Sequence, residues 1–355
     1  MEKTQKERAF LLGATFSSKD NIEYSLKELE RLAETAGLEV VDKDYQYIRE
    51  VTPATLFGSG KVEEIAERVK ELNINVVIVD HELSGSQTNN LSNYFGVKVI
   101  DRITLILDIF AGRATTNEGK LQVELAQLKY NLPRLSGISG TSGRFGSGGV
   151  GMRGPGETKL ELDKRKVRDK INKLTEEIEK IKGQRQVKRQ QRQESSKFKV
   201  AIVGYTNAGK STFLNTLAKE NIYADDKLFA TLETTTRQVF LSYDCQIVLT
   251  DTVGFISNLP HSLVDAFAST LEEAKDADVI IHLVDGSNQH YKEQVEVVEK
   301  VLEDLKVNSP IITVYNKCDK ILEREEDKIY ISAKNKTGIE DLKQKLIETC
   351  LSLKG

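Results

Sequence analysis

The chain has 355 residues, 39% of them hydrophobic and 30% charged. That length is a prior for two or three domains. The composition excludes collagen-like, mucin-like and wholly disordered chains. Apolar runs are short, Val279–Val284 being among the best, and fall well below the ~18 residues of a membrane-spanning helix. The opening MEKTQKERAFLLGATF carries too short an apolar stretch for a secretory signal. Cys245, Cys318 and Cys350 are odd in number and form no CxxC pair, which argues against a disulfide framework or structural zinc and fits a reducing cytoplasm. Net charge is −3, yet residues 153–197 hold 15 Lys/Arg against 8 Asp/Glu, a local +7 in an otherwise acidic chain. Such a segment is either a surface that meets phosphate or a solvated charged helix.

In chain order, Phe10–Phe16 reads as a strand. Asn21–Ala36 reads as a helix with Tyr24, Leu26, Leu29 and Leu32 on one side. Leu38–Val41 reads as a strand, Val62–Leu72 as a helix and Asn75–Val79 as a buried strand. Gln87–Phe95 reads as a helix and Val97–Ile100 as a strand. Strands alternating with helices of this length predict βαβ units and a mainly parallel sheet. Gly58-Ser-Gly-Lys61 has the look of a phosphate loop, but the first glycine of that pattern would fall on Thr55. The stretch therefore reads as a turn that caps the next helix.

Residues 103–133 read as helical and end at Pro133. Leu121, Leu125, Leu128 and Leu132 form a heptad seam. Residues 137–156 then hold 9 of the 24 glycines and no acid, with Arg134, Arg144 and Arg153 spaced along or beside them. A second helix is predicted over 157–192, with Gly183 as a candidate interruption. Val167, Ile171, Leu174, Ile178 and Ile181 supply a matching seam. Two such seams joined by a loop predict a long antiparallel helical hairpin with a glycine-rich tip. Within it, residues 182–192 carry five cations and no acid. The loop is either a flexible linker or an RNA contact, because glycine lets the backbone approach closely and arginine favours phosphate. The expected domains are an N-terminal α/β domain over 1–115, the hairpin over 116–196 and a P-loop domain over 197–355.

The sharpest signal follows the apolar strand Phe198–Val203. Gly204, Tyr205, Thr206, Asn207, Ala208, Gly209, Lys210 and Ser211 match GxxxxGK[ST] in full, with a helix predicted next. Backbone N–H groups of such a loop ring phosphates. Lys210 supplies a charge to the β- and γ-phosphates and Ser211 a hydroxyl to Mg²⁺. The strand Gln246–Thr250 leads to Asp251, Thr252, Val253 and Gly254, a DxxG segment. Its acid can hold Mg²⁺ through water and its glycine N–H can meet the γ-phosphate. The strand Pro310–Tyr315 leads to Asn316, Lys317, Cys318 and Asp319. A carboxylate at Asp319 can accept from guanine N1–H and its exocyclic amine, whereas adenine would leave it unpaired. Asn316 can tie this loop to the phosphate loop, and the Lys317 stem can cover one face of the base. Ser332, Ala333 and Lys334 follow the predicted strand Lys328–Ile331 and would bring a backbone N–H to guanine O6. The last predicted helix is Ile339–Leu351. On residue type alone, Thr234, Thr235 and Thr236 compete with Thr231 as a switch threonine.

Together these motifs resemble those of the translation-factor-related GTPases. The stretches Asp251-Thr-Val-Gly-Phe-Ile, Leu259-Pro-His-Ser-Leu-Val-Asp, Leu228-Phe-Ala-Thr-Leu-Glu-Thr-Thr-Thr-Arg237, Arg153-Gly-Pro-Gly-Glu-Thr-Lys and Leu121-Gln-Val-Glu-Leu narrow the match. The chain resembles the HflX family of ribosome-associated GTPases over about residues 10–350. The resemblance implies an α/β fold with a mainly parallel GTPase sheet covered on both faces. It implies Mg²⁺ as cofactor with GTP as substrate and GDP as product. It implies that Phe229, Ala230, Thr231, Leu232 and Glu233 form the first switch, with Thr231 as second Mg²⁺ ligand beside Ser211. Lys210, Thr231 and Gly254 are then the catalytic set. It also implies binding to the large ribosomal subunit near the peptidyl transferase centre, with loop 137–156 and the basic helix 182–192 reaching ribosomal RNA. Many members carry a further domain after the GTPase core, so its contacts are expected to be absent or made otherwise in a sequence ending at Gly355. The family's ATP-dependent RNA remodelling finds no complete second phosphate loop here.

The expected activity is GTP-driven dissociation of ribosomes, for rescue or recycling under stress. The alternatives are a ribosome-silencing or large-subunit assembly factor that binds without splitting, and a regulatory switch whose hairpin is only a solvated coiled coil. A cytoplasmic monomer is expected, with no membrane span and no DNA partner. Many small GTPases place a water-orienting glutamine after DxxG. Phe255 stands there, so hydrolysis is expected to be slow until a partner accelerates it.

Overall fold

The computed structural model describes residues 6–16, 19–135, 159–190, 198–218, 228–229, 234–243, 245–257 and 273–353. They divide into two units, Met1–Gly112 with Leu121–Ile178, and Arg113–Lys120 with Glu179–Gly355.

In the first unit β1 (Arg8–Thr15), α1 (Lys19–Thr35), β2 (Glu39–Tyr47), α2 (Ser59–Glu71), β3 (Val76–Val79), α3 (Gly85–Phe95) and β4 (Lys98–Asp101) alternate. The four strands make an all-parallel sheet in the order β2-β1-β3-β4. β3 reads VVIV and is buried at every position, as a strand covered on both faces must be. Phe10, Leu12, Val77 and Val79 pack with Val62, Ile65 and Val69 of α2 and Phe95 of α3.

The strand predicted over 38–41 continues to Tyr47. Its polar residues hid it: Asp42 pairs with Arg68 at 2.6 Å and Asp44 with Lys61 at 2.7 Å, both cations lying on α2. Lys61 also pairs with Glu64, and Gly58 is the N-cap of α2. The Gly58–Lys61 stretch is therefore a helix start held by ion pairs.

The helix predicted over 103–133 is two helices, α4 (Arg102–Arg113) and α5 (Asn117–Asn131). Thr116 causes the break, because its hydroxyl accepts from the Gly119 N–H at 3.0 Å and caps a new start. The long helix α6 (Lys159–Gln190) runs straight through Gly183. Leu121, Leu125 and Leu128 cluster with Ile171, Leu174 and Ile178, and Lys170 pairs with Glu124. The glycine-rich loop 137–156 lies outside the described residues.

The second unit holds β5 (Phe198–Val203), α7 (Lys210–Ala218), β6 (Thr235–Ser242), β7 (Cys245–Asp251), β8 (Val279–Asp285), α8 (Tyr291–Asp304), β9 (Ile311–Asn316), β10 (Ile329–Tyr330) and α9 (Ile339–Ser352). The sheet order is β10-β9-β8-β5-β7-β6, parallel except that β6 runs antiparallel to β7. Val200, Ile202, Ile247, Leu249, Ile281 and Leu283 pack against α7 and α9. Strand β6 was not foreseen from its polar Thr-Thr-Arg start. It sets Thr235 opposite Asp251 and Thr236 opposite Thr250. The carboxyl ends of β5, β7, β8 and β9 bring Val203, Asp251, Asp285 and Asn316 to one edge of the sheet, where parallel α/β sheets bind ligands.

Among the described residues of the first unit, one cation is buried. Arg102 is 2% exposed and donates to Asp80 at 2.8 Å and to Glu28, both of them buried. Removing one partner of a buried pair strands the others, at a cost of about 3–5 kcal/mol. Arg102→Met should therefore lower the thermal midpoint clearly, and adding Glu28→Gln and Asp80→Asn should recover much of the loss. Calorimetry of the single and triple variants measures both.

Candidate nucleotide site

Strand β5 delivers the chain to Gly204 and α7 carries it away from Lys210. The loop between them is tight enough to require glycine at both ends. A Cβ on Gly204 would strike the Leu283 carbonyl, and Gly209 sits at φ +93° against the Asn316 amide. Asn207 takes the left-handed conformation at φ 60°, which asparagine tolerates better than most residues. The Lys210 ammonium is buried and folds back on its own loop, donating to the Gly204 and Tyr205 carbonyls at 3.0 Å each. Burial pushes its pKa down to about 8, against the opposing pull of the Asp251 charge. Ser211 Oγ donates to Asp251 Oδ2 at 2.8 Å, so the hydroxyl and the acid expected at a metal lie side by side.

The DxxG segment lies directly against this loop. Thr252 Oγ1 donates to the Ile202 carbonyl at 2.8 Å. Phe255 N–H donates to the Gly204 carbonyl at 3.1 Å, and Thr206 N–H donates to the Phe255 carbonyl at 2.7 Å. The Tyr205 hydroxyl lies 2.6 Å from Ser257 Oγ and accepts from the Ser257 N–H at 2.7 Å. Val253 and Phe255 are buried. Motif spacing did not anticipate this latch of Tyr205, Phe255 and Ser257.

The base-reading loops converge on the same place. Asn316 Nδ2 donates to the Ala208 carbonyl at 2.8 Å, and its Oδ1 accepts from the Ala333 N–H at 3.0 Å. Lys317, at φ 62°, donates to the Asn207 carbonyl at 2.9 Å and to Asp285 Oδ2 at 2.7 Å. Cys318 is buried and its N–H donates to the Ile331 carbonyl at 3.0 Å. Asp319 is exposed and accepts from Ser332 Oγ at 2.6 Å. That hydrogen bond holds its carboxyl below the usual carboxylate range, so it remains an acceptor at neutral pH. Lys334 is exposed beside it.

Two contributors escaped sequence reasoning. Asp285 fixes the Lys317 ammonium, and its only sequence signal is an acid closing the apolar run of β8. Thr216 on α7 donates to the Ala333 carbonyl at 2.8 Å and had no signal at all. Phe229 is buried at φ 54°. Ala230, Thr231, Leu232 and Glu233 lie outside the described residues, as does part of the basic segment 182–192. Of the threonines that compete with Thr231, Thr235 and Thr236 are built into β6.

Comparison with known proteins adds to this geometry. Residues 23–111 match the family described as GTP-binding GTPase N-terminal, 113–192 its middle region, and 199–317 the family described as 50S ribosome-binding GTPase. The GTPase HflX of Caldanaerobacter subterraneus subsp. tengcongensis is 50% identical over 341 residues, covering 95% of this chain and 79% of that protein. The GTPase HflX of Escherichia coli K12 is 41% identical, covering 96% and 82%. A solved complex of SsGBP with GDP superposes with a TM-score of 0.54 at 26% identity, covering 98% of this chain and 99% of that one. A GTP-binding protein from Sulfolobus solfataricus in complex with GDP gives a TM-score of 0.50 at 25% identity over the same shares.

A phosphate ligand requires Lys210 in its charged form. Below about pH 7 the free lysine is already protonated and affinity should be flat. Above about pH 8 binding must take up a proton, so affinity should fall by up to about tenfold per pH unit. Fluorescent-GDP titrations between pH 6.5 and 9 measure this, and Lys210→Arg, which stays charged, should flatten the profile.

Proposed function

The chain belongs to the HflX family of GTPases and hydrolyses GTP, and on that footing we propose that it binds the large ribosomal subunit and separates ribosomes into subunits in its GTP state. The match of residues 199–317 to a family described as 50S ribosome-binding GTPase supports the partner. The observation that carries the nucleotide chemistry is Asn316, which joins the phosphate loop at Ala208 to the base loop at Ala333. One ligand carrying both phosphates and a guanine satisfies both loops.

In this reading the amides of residue 207 and residues 209–211 hold the phosphates and Lys210 neutralises them. Asp319 reads guanine N1–H and the amine, the Ser332–Lys334 loop supplies an amide to O6, and the Lys317 stem covers the base. The Ser211–Asp251 pair has the hard oxygen donors that suit a divalent ion. Ser211, with Thr231, would hold Mg²⁺, which supplies charge neutralisation at the β- and γ-phosphates when bound. Gly254 N–H and Thr231 sense the γ-phosphate, and its loss on hydrolysis releases the switch segments. Phe255 offers no hydrogen bond to water, so the isolated chain is slow and the ribosome accelerates it, by up to roughly 10⁵-fold in assisted GTPases. Loop 137–156 and the basic segment 182–192 contact ribosomal RNA. No helix among the described residues is long and apolar enough to cross a membrane, and a cytoplasmic, partly ribosome-associated protein follows from the proposed partner.

Two measurements test this reading. Asp319→Asn should weaken GTP binding at least about 100-fold and recover affinity for xanthosine nucleotides, whose altered edge suits an amide. Sedimentation of vacant ribosomes with the chain and a non-hydrolysable GTP analogue should yield separated subunits, and GDP should not. Co-migration with intact ribosomes or free large subunits alone would replace splitting with silencing or assembly. No co-migration in either state would remove the ribosome as partner.

A further inference from the structure

One residue of the helix that follows the phosphate loop grips the loop expected to read guanine. Helix α7 begins at Lys210, and Thr216 lies about 9 Å further along its axis. Thr216 Oγ1 is 2.8 Å from the Ala333 carbonyl oxygen and 2.9 Å from that of Thr212. A hydroxyl has a single proton to give. The Thr212 carbonyl is bonded within the helix already. Ala333 is 2% exposed, and no other donor among the described residues reaches its carbonyl. A buried carbonyl left unpaired is costly, so the proton belongs to Ala333.

Ala333 is thus held at both ends. Its N–H donates to Asn316 Oδ1 at 3.0 Å, and its carbonyl accepts from Thr216. That carbonyl and the Lys334 N–H share one planar trans peptide, so they point in opposite directions. Fixing the first aims the second. Ser332 N–H donates to the Thr337 carbonyl and Asn335 N–H to Ser332 Oγ, whereas the Lys334 N–H has no hydrogen-bond partner among the described residues. Ser332 Oγ donates in turn to Asp319 Oδ1 at 2.6 Å. The loop is therefore wrapped against the carboxylate read above as the partner of guanine N1–H. Guanine O6 stands on the carbon next to N1, so the group that meets it has to lie beside Asp319. Of the amides of residues 332–335, that of Lys334 is the one left for it.

We propose that Thr216 is a positioning residue for guanine: its hydroxyl holds the Ala333 carbonyl and so fixes the peptide whose other end, the Lys334 N–H, donates to O6. This rests on the guanine reading of Asp319 given above. Thr216 itself never touches the nucleotide. Its effect falls on the choice and retention of the base. An oxygen at position 6 accepts from the fixed amide, whereas the amino group that adenine carries there meets it donor to donor. A loosened peptide gives up the O6 contact and leaves Asp319 and the phosphate contacts in place.

The test compares GDP with 6-thio-GDP, in which sulfur, a weak acceptor, replaces O6. Affinities and dissociation rates are measured on the full chain and on Thr216→Val, Thr216→Ala and Thr216→Ser. The parent should prefer GDP by at least about tenfold. The two hydroxyl-free variants should release GDP about tenfold faster and bind 6-thio-GDP within about twofold of the parent, so that the preference largely disappears. Thr216→Ser should restore it. Parental GDP release in both hydroxyl-free variants would overturn the proposal. So would equal losses for GDP and 6-thio-GDP, which mark a structural role. If those variants do not fold, the parent alone decides, through nitrogen-15 labelling of its lysine amides. GDP should then move the Lys334 amide proton downfield further than 6-thio-GDP does, and an amide that GDP leaves unmoved overturns the proposal. A parent that binds ADP as well as GDP would overturn the guanine reading itself, whereas a guanine preference that both hydroxyl-free variants keep would overturn this inference alone.

Discussion

Much of the nucleotide end of this protein depends on one amide. Asn316 closes β9, and its side chain reaches the Ala208 carbonyl on one side and the Ala333 N–H on the other. An amide is the natural group for this post, because it donates and accepts at once. A carboxylate would repel the Ala208 carbonyl, and a leucine would orphan two buried backbone groups. Lys317 repeats the theme one residue later by joining Asn207 to Asp285. The loop that reads the base is therefore not free to move without the loop that holds the phosphates.

Two buried cations show how differently the chain treats charge. Arg102 in the first unit sits among the carboxylates of Glu28 and Asp80. Its charge is answered by the protein itself, which marks a structural role. Lys210 in the second unit is answered chiefly by two neutral carbonyls, and burial pulls its pKa down to about 8. Such an ammonium is a poor structural element and a good receiver for anions.

Sequence reading succeeded where a single local pattern carries the information. The buried run of β3, the phosphate-loop spacing and the leucine seam of α5 were all visible without coordinates. It failed where the cause lies far away in the chain. Strand β2 looked too polar to continue because the cations that neutralise Asp42 and Asp44 sit on α2. Strand β6 was hidden for a similar reason: its threonines acquire strand character only from pairing with β7. The break between α4 and α5 was available in principle, since Thr116 is a good capping residue, but the apolar periodicity on both sides masked it. In the site, motif spacing named the members and not the ties. Thr216 reaches Ala333 across more than a hundred residues of chain, and no local pattern records such a distance.

The state of Lys210 also bears on how this half of the chain is built. Its ammonium loses its water when the protein folds, before any nucleotide arrives. The penalty for that dehydration is charged to the folding equilibrium, and association with an anion then recovers what folding lost. The phosphates of a nucleotide would thus act as counter-charge to a group that folding has already dehydrated. Replacing this lysine by an apolar residue would spare the fold that penalty, and the same change would remove the charge that a phosphate meets.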